Sequence, residues 1–362
     1  MLKILFFISV IFLNLWAFET QFDEVSLKKE IGRMLVVGFE NAHVDDNSAI
    51  IQQIKKYNLG GVILFDRFYK QKDKIKNIDS PQQLKLLTSK LQQASVMPLL
   101  IGTDQEGGRV QRMKPIYGFE NTMSAQEVAK EGLKKASVEY EKLAKTLKNS
   151  GINTNFAPVV DLAVNPNNSV IYQLQRAYSS DPKIVSKYAK VFIHALQKEG
   201  VISVLKHFPG HGSSLGDSHK GFVDITATWN PKELEPYVEL INANSVKMIM
   251  TAHVFNQYLD DTYPATLSYK INTQLLREQL HYNHVIISDD LQMAAIKEHY
   301  TLKQTVTLAI NSGVDLLLFG NQLAHNDLEE LINTIYEEVL NKNIPYERIK
   351  ESNLRINALL CF

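Results

Sequence analysis

The sequence predicts an α/β fold, a (β/α)8 barrel in a single domain, on three observations. Eight short apolar, β-rich runs recur along the chain, amphipathic stretches of helical period separate them, and no proline- or glycine-rich linker divides the whole. Runs apolar at every position suit a parallel sheet whose two faces are both covered by helices. A doubly wound open sheet is the rival; it needs a switch-point crevice and normally has fewer strands, so the count favours the barrel.

In chain order the expected strands are Met34 to Val37, Gly61 to Phe65, Pro98 to Thr103, Asn155 to Val160, Ile202 to Leu205, Val246 to Thr251, Val285 to Ser288 and Val314 to Phe319. The segments between them carry helix punctuation. Ser80 before Pro81, Asp181 before Pro182 and Asn230 before Pro231 each set a capping side chain ahead of a proline at the first helical position. "SAQE", Ser124 to Glu127, has capping-box spacing. Gly60, Gly151, Gly200 and Gly313 close helices just before strands.

Composition narrows the function. The 362 residues are 45% hydrophobic, enough for a large core, and lysine plus arginine equal aspartate plus glutamate at 39 each. No overall field favours nucleic acid, and no stable membrane partner is expected. The single cysteine, Cys361, can form no internal disulfide. The N-terminus, "MLKILFFISVIFLNLWAFET", has Lys3 as its only charge before Glu19, the pattern of a secretory signal peptide over residues 1–17 cut after Ala17. Residues 18–362 would then form the exported domain, periplasmic or secreted; an uncleaved membrane anchor is the alternative. No cysteine follows the apolar run to take a lipid.

Chemistry in a barrel of this kind gathers at the C-terminal ends of the strands. There the sequence sets Asp104 after strand three, Asp161 after strand four, Lys206 and His207 after strand five, His253 after strand six, and Asp289 with Asp290 after strand seven. "KHFPGHGSSLGDSH", residues 206–219, is the densest motif. Ligand spacing for a metal is poor across its histidines, and it lacks the lysine and hydroxyl arrangement of a phosphate loop, so no cofactor and no metal are expected. Asp217 and His219, two apart, can pair as carboxylate and imidazole for proton transfer, or form a hydrogen-bonded loop.

In "VIISDDL" a strand-end aspartate can be a nucleophile, a metal ligand or a helix cap; two in a row suggest that one caps and one reacts. In "IGTDQEGGRVQR", Asp104 suits hydrogen bonding to vicinal sugar hydroxyls, and the arginines after the Gly-Gly bend can reach the same ligand; surface ion pairing is the other reading, stronger for Arg109. Arg176 in "QLQRAYSSDP" has the same two readings.

Together "DQEGGRVQR", "QRAYSSDP", "KHFPGHG" with "DSH", and "SDDL", in this order, resemble family 3 of the glycoside hydrolases, specifically its bacterial β-N-acetylglucosaminidase branch of peptidoglycan recycling. The resemblance spans most of the chain and implies a single catalytic barrel. By it, Asp289 is the nucleophile, His219 the general acid and base, and Asp217 its orienting partner. Asp104, Arg112, Arg176, Lys206 and His207 would hold the N-acetylglucosamine ring.

His211 and His253 receive no role, His211 being read as structural. The glycines between the two ends of the histidine loop would let it move. Many relatives in the branch are cytoplasmic, so the leader here points to periplasmic wall fragments or chitooligosaccharides as the carbohydrate substrate, handled by a monomer. Phosphorolysis at the same site and non-catalytic binding of amino sugars are the competing functions.

Overall fold

Leu35–Gly38 (β1) pairs in parallel with Gly61–Ile63 (β2) on one side and, across the whole length of the chain, with Leu317–Phe319 (β8) on the other. That is how a barrel begins and ends. In the computed structural model, which describes residues 23–360, the remaining strands are Leu100–Thr103 (β3), Thr154–Asn155 (β4), Ile202–Phe208 (β5), Met248–Thr251 (β6) and Val285–Ile287 (β7). They pair in sequence order and all in parallel, and the bridge between Ile287 and Leu316 closes the ring. The proposed leader and Cys361 lie outside the described residues.

Every residue of β1, β2 and β3 is buried, as the unbroken apolar runs require of a sheet covered on both faces. Each such valine, leucine or isoleucine contributes roughly 1.5–3 kcal/mol of transfer free energy. Helices alternate with the strands, and their starts follow the expected punctuation. Ser80 accepts from Gln83 N at 3.2 Å, Asp181 from Lys183 N at 2.8 Å and Asn230 from Lys232 N at 3.0 Å, while Ser124 and Glu127 form a reciprocal capping box.

Three expectations need correction. Strand four keeps only two ladder residues, because Pro158 has no N–H to give; pairing resumes where Val160 N donates to Lys206 O at 2.9 Å. Strand five runs three residues past Leu205, so Lys206 and His207 lie inside it, next to a register shift against β6 between Leu205 and Phe208. At the end of the helix Ala49–Tyr57 the left-handed residue is Asn58 (φ 52), not Gly60; Gly60 is required instead because a Cβ there would stand 2.1 Å from the Arg33 carbonyl oxygen.

Outside the barrel, Val223–Asp224 and Val254–Phe255 pair in parallel and knit the loop after β5 to the loop after β6. Among the described residues no helix is long and apolar enough to cross a membrane.

Candidate active site

The loop after β3 is folded by one side chain. Gln105 Oε1 accepts from Arg112 N and Met113 N, each at 2.9 Å, while Asn155 at the end of β4 exchanges hydrogen bonds of 3.0 Å with the Gln105 backbone. Gly107 and Gly108, both at positive φ, make the bend between. The chain is thereby doubled back so that Arg112 NH2 donates to Asp104 Oδ2 at 3.2 Å. On the other side of Asp104, Lys206 Nζ donates to Oδ1 at 2.9 Å.

Lys206 also reaches Glu106 Oε1 at 2.7 Å, and Glu106 takes both Arg176 Nε and NH2 at 2.7 Å in a bidentate pair. Asp104, Glu106, Lys206, Arg112 and Arg176 thus form one continuous network on the ends of β3, β4 and β5. Burial would raise the Asp104 carboxyl, but Lys206 and Arg112 outweigh it and hold it well below the usual carboxylate range. The same contest leaves Glu106 lowered, with Arg176 as the leading cation, and Lys206 raised by Asp104 and Glu106 against its burial. Asp104 keeps 17% of its side chain exposed against 6% for Glu106, so Asp104 presents the accessible carboxylate.

Asp161, fully buried after β4, organises the start of the histidine loop. Its Oδ2 accepts from His207 Nδ1 at 2.6 Å, and its Oδ1 from the backbone N–H of His207 at 3.2 Å and of His211 at 2.8 Å. That tautomer turns His207 Nε2 toward Arg176 NH2, 3.4 Å away. His211 is buried with Nδ1 2.7 Å from Ser214 Oγ; burial pushes its imidazole down to about 4, so it stays neutral inside the loop. Asn168 ties the loop after β4 to this one, donating to the carbonyls of His211 and Gly212 at 2.8 and 3.1 Å.

The front glycines of the loop answer to packing. A Cβ on Gly210 would stand 2.5 Å from Glu233 Cβ, and one on Gly212 would stand 2.0 Å from the Leu162 carbonyl oxygen. Only at Gly221, past the Asp-Ser-His triplet, is there open space. Close approach accounts for both glycines, and Gly210 also stands at positive φ (122).

Asp217 Oδ1 accepts from His219 N at 3.0 Å and lies 2.9 Å from His219 Nδ1. The hydrogen bond from His219 holds Asp217 down to about 2. Burial pulls the His219 imidazole down, but Asp217 and the charge of Asp289 outweigh it and leave it raised. The backbone of this turn is tethered to the loop after β7, where Ala295 N donates to Ser218 O at 3.2 Å.

Asp289 emerges two residues beyond β7. Burial raises its carboxyl, but His253, His207 and His219 together hold it below the ordinary range, so it is ionised among three imidazoles. Its neighbour differs. Asp290 Oδ1 accepts from Gln292 N at 3.1 Å and Gly320 N at 3.2 Å, and burial pushes its carboxyl up to about 6. It closes a turn and joins the loop after β8, whereas the short helix Ala294–Lys297 has Met293 at its N-cap. Burial pulls the His253 imidazole down against the charge of Asp289; its Nε2 donates to the Asp290 carbonyl at 2.9 Å, and Nδ1 lies 2.8 Å from Thr266 Oγ1.

All eight expected site residues therefore stand at the C-terminal end of the barrel, while Arg109 is exposed. Residues 26–359 match the family described as Glycosyl hydrolase family 3 N terminal domain. The chain belongs to glycosyl hydrolase family 3. Its enzyme class, a glycoside hydrolase, comes with that membership.

Among its relatives, a beta-hexosaminidase from Hydrogenovibrio crunogenus is 34% identical over 312 residues, covering 82% of each chain. Beta-hexosaminidase A of Pseudoalteromonas piscicida is 35% identical over 332 residues, 84% of this chain and 54% of that one. The barrel superposes on a family 3 beta-N-acetylglucosaminidase from Paenibacillus sp. at TM-score 0.82 and 30% identity, covering 92% of this chain and 62% of that one. The chain thus spans about half to two thirds of those two longer proteins.

Sequence reasoning missed three supports of the family 3 site. Glu106 sits two residues past Asp104 in the quoted motif and is the central anion of the network. Asp161 was placed at a strand end without its partner His207. Glu233, buried behind the loop, accepts from Gly212 N at 2.8 Å; burial pushes its carboxyl up to about 7, and no local pattern in the sequence marks it.

Proposed function

We propose that the chain is a retaining exo-β-N-acetylglucosaminidase that removes terminal β-linked N-acetylglucosamine from peptidoglycan fragments or chitooligosaccharides. The observation that carries this reading is the ionised Asp289 set among His207, His219 and His253, with His219 paired to Asp217 at 2.9 Å. Asp289 attacks the anomeric carbon while His219 Nε2 gives its proton to the leaving oxygen, forming a glycosyl-enzyme and freeing the aglycone. Neutral His219 then takes a proton from water, which attacks the same carbon and returns Asp289 as carboxylate. Asp217 fixes the tautomer and stabilises the imidazolium in both halves.

Asp104, Arg112, Lys206, Arg176 and His207 hold the sugar ring, Asp104 accepting from its hydroxyls. The relatives named beta-hexosaminidase support this choice of sugar. With residues 1–17 acting as an export signal, the work is periplasmic, on wall fragments.

The test is release of a chromogenic leaving group from an aryl β-N-acetylglucosaminide beside the matching β-glucoside, with and without phosphate, using protein lacking residues 1–17. Turnover of the N-acetyl substrate alone, giving free N-acetylglucosamine, is expected. A glycosyl phosphate product would make it a phosphorylase, and binding without turnover would make it a binding protein.

A further inference from the structure

His219 is held from both sides by one short element. On one side the tether is backbone: Ala295 N donates to Ser218 O at 3.2 Å. On the other it is a side chain, the Phe222 ring standing 5.7 Å from the His299 ring at 71°, edge to face. Ala295 belongs to the helix Ala294–Lys297, and His299 to the turn that ends it, where His299 N donates to Ile296 O at 3.0 Å. That helix opens just past Asp289 and Asp290. The residue read as proton donor therefore hangs between two points fixed to the segment that carries the nucleophile.

The same ring reaches a second support. Phe222 lies 5.5 Å from Phe255, tilted 40°, beside the small parallel sheet in which Val223 pairs with Val254 and Asp224 with Phe255. Ile225 N extends that pairing, donating to Phe255 O at 2.8 Å. Val254 follows His253, whose Nε2 donates to the Asp290 carbonyl, so this support also leads to the aspartate pair. Between the tethers the turn is open: the His219 side chain is 47% exposed, and a Cβ on Gly221 would meet open space. Phe222 is itself 51% exposed, so its ring adds little to the core; what it does is join three loops.

We propose that Phe222 is a positioning residue that latches His219 to the Asp289 segment by seating its ring on Phe255 and His299. The proposal rests on the retaining-hydrolase reading and adds the device that registers proton donor against nucleophile. Without the ring the Asp217 and His219 pair survives, because both members belong to one turn. That turn is then held to the loop after β7 only through Ser218 O. Proton delivery suffers where bond breaking depends on it, and not where the leaving group departs unaided.

The test measures kcat/KM on two β-N-acetylglucosaminides, the phenyl glycoside, whose leaving oxygen needs a proton, and the dinitrophenyl glycoside, whose leaving group departs as a stable anion. In Phe222→Ala the phenyl value is expected to fall about tenfold, with the dinitrophenyl value kept within about twofold. Phe222→Tyr keeps the ring and should stay within about twofold of wild type on both. Azide attacks the anomeric carbon and displaces the Asp289 carboxylate with no proton to remove. It should therefore raise kcat of Phe222→Ala on the dinitrophenyl glycoside and give the glycosyl azide. Equal losses on both substrates, or none on either, would overturn the proposal. Amide hydrogen exchange reads the latch apart from turnover: peptides covering 213–225 should exchange about tenfold faster in Phe222→Ala, with those of β5 unchanged. Unchanged exchange in 213–225 would overturn the latch whatever the kinetics. A wild type that hydrolyses neither glycoside, with faster exchange in Phe222→Ala, would instead overturn the hydrolase reading and the role given to His219, leaving Phe222 a tether of the loop alone.

Discussion

His219 Nδ1 lies 2.9 Å from Asp217 Oδ1, and the same carboxylate oxygen receives the His219 backbone N–H at 3.0 Å. A two-residue turn therefore engages one ring nitrogen and leaves Nε2 for the proposed proton transfer. Acid catalysis needs His219 protonated, so kcat/KM falls as pH rises through its raised pKa; the acid limb belongs to Asp289, whose carboxyl is lowered. Asp217→Asn removes a cause of the raised value, so the alkaline limb should move to lower pH and kcat fall by about 10- to 100-fold. The pH profile of aryl β-N-acetylglucosaminide hydrolysis checks this. An unmoved alkaline limb would show that Asp217 does not act through the imidazole.

Asp289 and Asp290 differ by environment. Asp289→Ala should lower kcat on the order of 10³-fold or more with the fold retained, since the proposed nucleophile is lost while the network around Asp104 stays. Asp290→Asn keeps an acceptor for Gln292 N and Gly320 N and should stay within about tenfold of wild type. Steady-state kinetics with circular dichroism on both variants decides it. A dead Asp290→Asn beside an active Asp289→Ala would shift the assignment by one residue.

Much of this was legible because barrel strands have simple physics. A strand buried on both faces is mostly apolar, so a polar residue in or just past it is conspicuous; Asp104 and Asp289 stand out past β3 and β7, and Lys206 stands out within β5. Partnership across strands was not legible. Glu106 reaches Arg176, 70 residues on, and Asp161 reaches His207, 46 residues on; nothing local announces either pair. The loop glycines were ambiguous for a related reason. Mobility, positive φ and close packing select the same residue, and the neighbours, Glu233 at Gly210 and Leu162 at Gly212, show that packing is one of the causes here.

Glu106→Gln tests the hidden centre of the network. The substitution leaves Arg176 and Lys206 without one anion between them in a buried site, a loss on the order of 3–5 kcal/mol. Urea denaturation should show that loss, and KM for the aryl substrate should rise because Arg176 and Lys206 are no longer aimed. Wild-type stability in Glu106→Gln would mean that Asp104 alone satisfies the cations.

Glu233 gives the fold a pH dependence of its own. Burial raises its carboxyl from the ordinary 4.5 to about 7, with Asp161 adding to the rise, while Gly212 N donates to Oε2. Between those values the folded chain keeps a proton that the unfolded chain has lost. Stability is therefore full below about pH 4.5 and falls as pH climbs toward 7, by up to about 3 kcal/mol. Asp290, raised from 3.8 to about 6 by burial, adds a slope of the same sign. Glu233→Gln keeps an acceptor for Gly212 N and cannot ionise, so between about pH 5 and about pH 8 it should remove the Glu233 share, about 2–3 kcal/mol, leaving the smaller Asp290 slope and the opposing slope of His211, whose imidazole burial lowers to about 4. Urea midpoints measured at about pH 5 and about pH 8 read the difference directly. If Glu233→Gln kept the full wild-type slope, the buried carboxyl would already be ionised and hydrated behind the loop.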